Sequence, residues 1–244
     1  MTALIEQLPG ATFSAPNIVL PPLPAMPAGM AIWVYPGTNL AGSQNPVPAA
    51  PAVLQLGAPG YTTYSITGCL GGASPIGLDT GVKDDNKTFT LLFAARHTGD
   101  TSTAISVPIA NNDNSTLFGV NVGLAGNGNL NCTTNGSGIN RNLPVTNITN
   151  WKIYCISFDD VAHVQGLYNL TDGTQDVFTG TGTRNLSAAG NWYIGANPRT
   201  VLGTKTCDVA FAALIKGTAV TLAVAQQYAA NIKANLVLRG LTIP

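Results

Sequence analysis

Apolar and polar positions in the second half of the chain alternate in short runs, and the period lengthens only once, near the end. Trp151 to Phe158 is rich in β-branched and aromatic residues and runs into the turn-forming pair Asp159-Asp160, which predicts a strand. Val164 to Leu170 predicts a second, closed by Thr171-Asp172-Gly173 as a hairpin connection. Asn191 to Gly195 follows, with Trp192 and Ile194 on one face. Cys207 to Ile215 then places Val209, Phe211, Ala213 and Ile215 in alternation. Leu222, Ala225, Gln226, Ala229, Ile232 and Lys233 instead recur at helical spacing, and Gly240 after Arg239 supplies a stop.

The first half carries weaker signals of the same kind. Met30 to Tyr35, Val53 to Leu56 and Thr88 to Ala95 read as strands, Tyr61 to Ile66 alternates weakly, and Thr103 to Ile109 and Thr116 to Leu124 continue the pattern. Ahead of them, Pro9, Pro16, Pro21, Pro22, Pro24 and Pro27 exclude helix and central strand, so residues 1–29 are expected to be an extended arm. It is either a disordered terminus or, given Leu4, Ile5, Leu8, Phe13, Ile18, Val19, Leu20 and Leu23, a segment that packs on a neighbouring subunit or particle. Residues 30–244 then form one domain: an all-β, two-sheet antiparallel jelly-roll sandwich with a short C-terminal helix.

Length and composition fit that expectation and narrow the partners. A chain of 244 residues is an ordinary size for one sandwich. A formal net charge of +0 with only 9% charged residues offers no field to attract nucleic acid or anionic lipid. No run is long and apolar enough to span a membrane, and the amino terminus lacks the basic and apolar regions of an export signal, so synthesis in a cytosol is expected. The low charge leaves apolar surface suited to burial against copies of the same chain, a homo-oligomer. Cys69, Cys132, Cys155 and Cys207 show no CxxC spacing; their number permits two disulfides, whereas cytosolic synthesis favours free, mostly buried thiols.

The order of a Trp-led strand at Trp151, a strand with Leu167-Tyr168 before the Asp172-Gly173 turn, the short strand Trp192 to Gly195, the strand through Val209 to Ile215 and a last helix resembles the C-terminal half of concanavalin A-like and laminin-G-like jelly-roll domains. The ending from Gln227 to Ile243 is similar to the tails of such domains in bacteriophage tail and virion-appendage proteins. The resemblance implies a virion protein, made in the host cytoplasm, that attaches to a host-surface glycan or other receptor. Its arm would dock to other virion proteins. A purely structural decoration or joint protein without a ligand is the alternative, and a glycan-cleaving enzyme a minor one.

The acid inventory weighs against cleavage. Glycan-cleaving members of that group carry paired carboxylates on one strand, usually glutamates. The single glutamate here, Glu6, lies in the Pro-rich arm, and the adjacent Asp159 and Asp160 suit a turn. His163 lies near Ser157 and Asp160 without a GxSxG elbow. A lyase-type set of His97, Arg96 and Tyr64 or Tyr61 is present by type, with nothing to place its members together. No catalytic residue and no bound cofactor are expected. Calcium is a minor candidate at Asp84, Asp85 and Asn86 or at Asn111, Asn112, Asp113 and Asn114, although turn-forming Asx residues explain both clusters. A sugar site needs an aromatic face with amide or carboxylate neighbours. Trp33, Trp151 and Trp192 read as core, which leaves Tyr61, Tyr64, Asn112, Asp113 and Arg199 as the candidate ligand residues.

Overall fold

A computed structural model describes residues 27–72, 74–99, 104–111, 118–187, 190–197 and 204–244. All but the last three residues of the expected arm, together with Asn112, Asp113 and Arg199, lie outside them. In chain order the strands are β1 (Met30–Val34), β2 (Leu54–Leu56), β3 (Gly60–Tyr61), β4 (Ile66–Cys69), β5 (Gly77–Lys83), β6 (Phe89–His97), β7 (Ile105–Ala110) and β8 (Val120–Ala125). They continue as β9 (Asn129–Thr134), β10 (Ile139–Pro144), β11 (Lys152–Asp159), β12 (Val164–Asn169), β13 (Thr174–Thr179), β14 (Asn191–Ile194) and β15 (Cys207–Lys216), before helix α1 (Leu222–Leu238). Two antiparallel sheets result. One runs β13-β12-β11-β6-β15-β4-β3, with β1 also paired to β15; the other runs β10-β9-β8-β7-β14-β5-β2. Among the described residues this is an all-β jelly-roll sandwich with one α-helix.

The first sheet is buried on both faces at its centre. Its inner side packs on the second sheet through Leu91, Phe93, Tyr154, Ile156 and Leu214, and its outer side carries Trp33, Leu92, Ile153, Phe211 and Ile215 beneath α1. A sheet covered twice needs apolar residues at successive positions, which is why β6, β11 and β15 read as continuous apolar runs. The second sheet buries mainly one side at its β9–β10 edge, where Leu130, Cys132, Ile139 and Leu143 face inward and Asn and Thr alternate between them. Those strands, with β5 and β13, escape the sequence reading because their polar positions resemble loop composition.

One expectation needs correction. Val209 does not share a face with Phe211, Ala213 and Ile215. The register against β6 shifts between Val209 and Phe211, so Val209 points into the sandwich and Phe211 toward the helix. A β-bulge inserts one residue and flips everything beyond it. The weakly alternating segment around Tyr61 is likewise two short strands. Between them Thr62 N–H donates to Ser65 O at 2.8 Å and the Thr62 hydroxyl accepts from Ser65 N at 2.9 Å, closing a turn.

Helix α1 begins where the Thr221 hydroxyl accepts from Val224 N–H, and ends where Gly240 takes a positive φ of 89°. Leu241 N–H then returns to Leu236 O at 2.9 Å, the six-to-one bond that satisfies a terminal carbonyl. Ala225, Ile232 and Leu236 dock the helix, and Leu241 and Ile243 extend the same apolar layer. Each large side chain so buried contributes about 1.5–3 kcal/mol.

Candidate functional site

Beyond the end of α1, the outer face of the first sheet holds a group of four side chains. Arg96 on β6 and Asp208 on β15 are direct cross-strand partners. The Arg96 Nε and one terminal nitrogen both reach Asp208 Oδ2 at 2.8 Å, while Asp208 Oδ1 accepts from Gly68 N–H at 3.2 Å. Arg96 Cζ lies 4.9 Å from the ring centroid of Trp151, which stands directly before β11. Tyr64 meets the same indole edge-on, with centroids 6.3 Å apart and planes at 81°. Asp208 and Trp151 are buried, whereas the Arg96 side chain is 39% exposed and Tyr64 is half-buried.

Each member is held by the fold. Trp151 is fixed by the strand it opens, and Arg96 by the β6–β15 ladder. Tyr64 rides on the tight turn between β3 and β4, where its N–H donates to the Thr62 hydroxyl at 3.2 Å. Arg239 at the end of α1 ties that turn down by donating to Thr63 O at 3.3 Å and Pro36 O at 2.8 Å. The result is a half-open guanidinium on an indole, flanked by a phenol. Such a set can bond hydroxyl or carboxylate oxygens and pack against the apolar side of a ring.

Along the same face, two residues past Trp151, Ile153 and Leu170 floor a cleft of about 220 Å3 against α1. Ala229 and Ala230 wall it, and Gln226 and Lys233 stand at its rim. Small-molecule pockets run about 300–1,000 Å3, so this one accommodates part of a larger ligand rather than enclosing a whole one.

The residues nominated from sequence separate in the fold. Tyr64 belongs to the outer group. Tyr61 packs against the inter-sheet core and donates its hydroxyl to Gln55 Oε1 at 2.8 Å. Trp33 and Trp151 lie in the outer layer and Trp192 in the inner one, each no more than 7% exposed. The lyase-type set does not assemble. Arg96 points outward, whereas its neighbour His97 is buried inside the sandwich, with Nδ1 3.0 Å from Ser106 Oγ. Successive strand residues face opposite sides, so the two cannot act on one substrate.

The carboxylates are engaged individually. Asp84 receives Arg184 at 2.5 Å and Ser187 N–H at 2.7 Å, and Asp85 pairs with Lys216 at 2.7 Å. Asn86 Oδ1 accepts from Thr88 N–H. The first loop considered for calcium therefore directs its two carboxylates at two different cations. Asn111 Oδ1 serves Val120 N–H, and the rest of the second cluster lies outside the described residues. Asp159 caps the turn N–H groups of Val161 and Ala162, and Asp160 accepts from Arg184 N–H.

Sequence reasoning missed Arg184. It is fully buried between the sheets, with its guanidinium 4.9 Å from the Phe89 centroid and 5.7 Å from that of Trp192. Burial pulls the Arg184 pKa down, and burial likewise pushes the Asp84 carboxyl up, against the attraction between the two. No feature of the stretch from Gly180 to Ser187 marks its arginine as interior.

Neither a protein-family model nor a curated protein sequence matches the chain. Solved structures do share its fold. A Trypanosoma rangeli sialidase mutant displaying trans-sialidase activity aligns with TM-score 0.61 at 10% identity, over 86% of this chain and 33% of that one. Botulinum neurotoxin type C, whose cell entry depends on interaction with two ganglioside molecules, aligns with TM-score 0.61 at 8% identity, over 84% of this chain and 51% of that one. The binding domain of Paraclostridial Mosquitocidal Protein 1 gives 0.58 at 11%, over 85% and 52%. The chain thus spans about a third of the sialidase and about half of the toxin structures. At this level of identity the likeness is one of fold: the chain is similar to β-sandwich domains of the kind found in these proteins.

Proposed function

We propose that this chain is a non-enzymatic, lectin-like attachment domain that binds a host-surface glycan, and that it serves on a bacteriophage virion or tail appendage assembled in the host cytoplasm. The observation that carries the reading is the half-exposed Arg96 guanidinium stacked on Trp151 beside Tyr64, a fixed aromatic and hydrogen-bonding surface. The ganglioside dependence of the toxin that shares the fold supports a sugar ligand. Against bond cleavage stands the engagement of each described aspartate by a cation or an N–H donor. In this proposal Asn112, Asp113 and Arg199 are further loop contacts, residues 1–29 dock the domain to its particle, residues 30–244 are the binding domain, and the working form is a homo-oligomer.

The test is glycan-array and whole-cell binding of the purified chain and of its Arg96→Ala and Tyr64→Ala variants. Binding that both substitutions weaken supports the reading; binding that neither alters moves the site elsewhere. A purely structural role as a decoration or joint protein is the second reading, favoured by edge strand β13, where Val177 is 52% and Phe178 38% exposed. Absence of any binding to glycans or host cells, with an oligomer that dissociates when residues before Gly29 are removed, would favour it.

A further inference from the structure

Cys69 and Cys207 are direct antiparallel partners across β4 and β15. Both are free thiols with no solvent exposure, and both belong to the layer between the sheets. Residues directly opposed in an antiparallel pair have Cα atoms about 4.5–5.5 Å apart, inside the roughly 4.4–6.8 Å range that a disulfide spans. The surroundings hold this register. Immediately beside the pair the ladder slips, and Gly68 N–H bonds the Asp208 side chain, itself clamped by Arg96. On the opposite side Gly195, at φ 69°, comes so close to Cys69 that a β-carbon there would collide with the sulfur. The Cys69 sulfur therefore lies in the inner layer, on the same side of the sheet as its partner Cys207. The other two cysteines are not alternatives to each other: Cys132 faces the inner layer from the second sheet, and Cys155 lies in the outer layer beyond the first.

We propose that Cys69 and Cys207 close into a cystine joining β4 to β15 when the chain meets a disulfide oxidant. In the balanced reaction one thiolate attacks the oxidant R–S–S–R, forming a mixed disulfide and releasing R–S⁻. The second thiolate then attacks the protein sulfur and expels another R–S⁻. The two protons lost by the cysteines end on the two R–SH released. The neighbouring Cys207 thiol and burial push the Cys69 thiol well above its ordinary pKa, so the reaction belongs to folding or to local opening of the four-residue β4 rather than to the closed state. A reducing cytosol keeps the dithiol and an oxidising exterior closes it. The bond would pin the short β3–β4 segment that carries Tyr64, yet the inference stands on the cysteine geometry alone and not on glycan binding.

The experiment unfolds the full chain in denaturant, refolds it with oxidised glutathione, and measures titratable thiols, intact mass and the linked peptides. Two of the four thiols should disappear with the loss of two hydrogens, and the link should map to Cys69 and Cys207. The thermal midpoint should rise by roughly 5 °C or more over the reduced chain. Cys69→Ser should abolish the link, while Cys132→Ser and Cys155→Ser should form it as the parent does. Four surviving thiols, glutathione adducts alone, or a link through Cys132 or Cys155 would each overturn the proposal.

Discussion

Among the described residues, two of the three arginine–aspartate pairs set their arginine against a tryptophan, and these two differ in where water reaches them. Arg184 and Asp84 lie between the sheets with side chains 0% and 1% exposed, while Arg96 and Asp208 lie on the outer face at 39% and 6%. In the interior, loss of hydration is the larger effect, and it moves both partners toward their neutral forms. Asn86 O and Ser187 N–H add hydrogen bonds to that pair, while Arg184 Nε stays buried without a hydrogen-bond partner, and the pair's role is to fasten the segment before β14 across the sandwich. On the outer face Arg96 keeps contact with solvent. The same chemical unit is thus a fastener where it is dry and, in the function proposed above, a point of ligand contact where it is half-wet.

The sharpest way to break this comparison is Arg184→Ala. It strands a buried carboxylate and should cost about 3–5 kcal/mol in urea unfolding, whereas an Arg184→Met, Asp84→Leu double variant should recover most of the loss. A single-variant loss below about 1 kcal/mol would mean that Arg184 is not a fastener. Next in size, Ile232→Ala removes an anchor of α1 and should cost about 3 kcal/mol, near the middle of the range for a buried aliphatic truncation. If the outer layer contributes little, that value falls toward zero. Arg96→Ala should cost less than Arg184→Ala, on the order of 1 kcal/mol, because the Arg96 side chain is 39% exposed and keeps contact with water. It should nevertheless weaken the proposed glycan binding at least tenfold, about 1.4 kcal/mol. Equal effects on stability from Arg96→Ala and Arg184→Ala would erase the distinction.

The smallest effect concerns acid. Burial alone would raise the Asp172 carboxyl, but hydrogen bonds from Lys152 and Asn169, the Lys152 charge and Thr146 outweigh it and hold the group below its ordinary value of 3.8. A carboxylate with a depressed folded pKa adds stability above its unfolded pKa and loses it as pH falls through the folded one. The stability difference between the parent and Asp172→Asn should therefore be constant at neutral pH and shrink below about pH 4. A difference that stays flat into acid would mean that the Lys152 contact holds no ionised carboxylate.

The legible parts of the fold were those with a strong local code. Apolar runs at β6, β11 and β15 announced strands, though not that their sheet is covered on both faces, and the change of period at Leu222 with a glycine at 240 announced the helix and its end. Strands β5, β9, β10 and β13 were not legible, since a strand with one wet face carries the Asn, Thr and Gly of a loop. In the site, Tyr64 was named from sequence, and Arg96 entered only as part of a lyase-type set. Trp151 was read as core, which its burial agrees with, although its indole also supports Arg96.

What the chain's own letters determined was the kind of layers: alternating and continuous apolar patterns set strand against helix, because backbone period and side-chain burial are local matters. Tertiary structure alone decided which residues meet. A single bulge at Ala210 turned Val209 inward and Phe211 outward, an antiparallel register set Cys69 opposite Cys207 and Asp208 opposite Arg96, and a loop brought Arg184 to Asp84 from a hundred residues away. Pairings at such separations depend on how whole sheets align, and no local run of sequence carries that information.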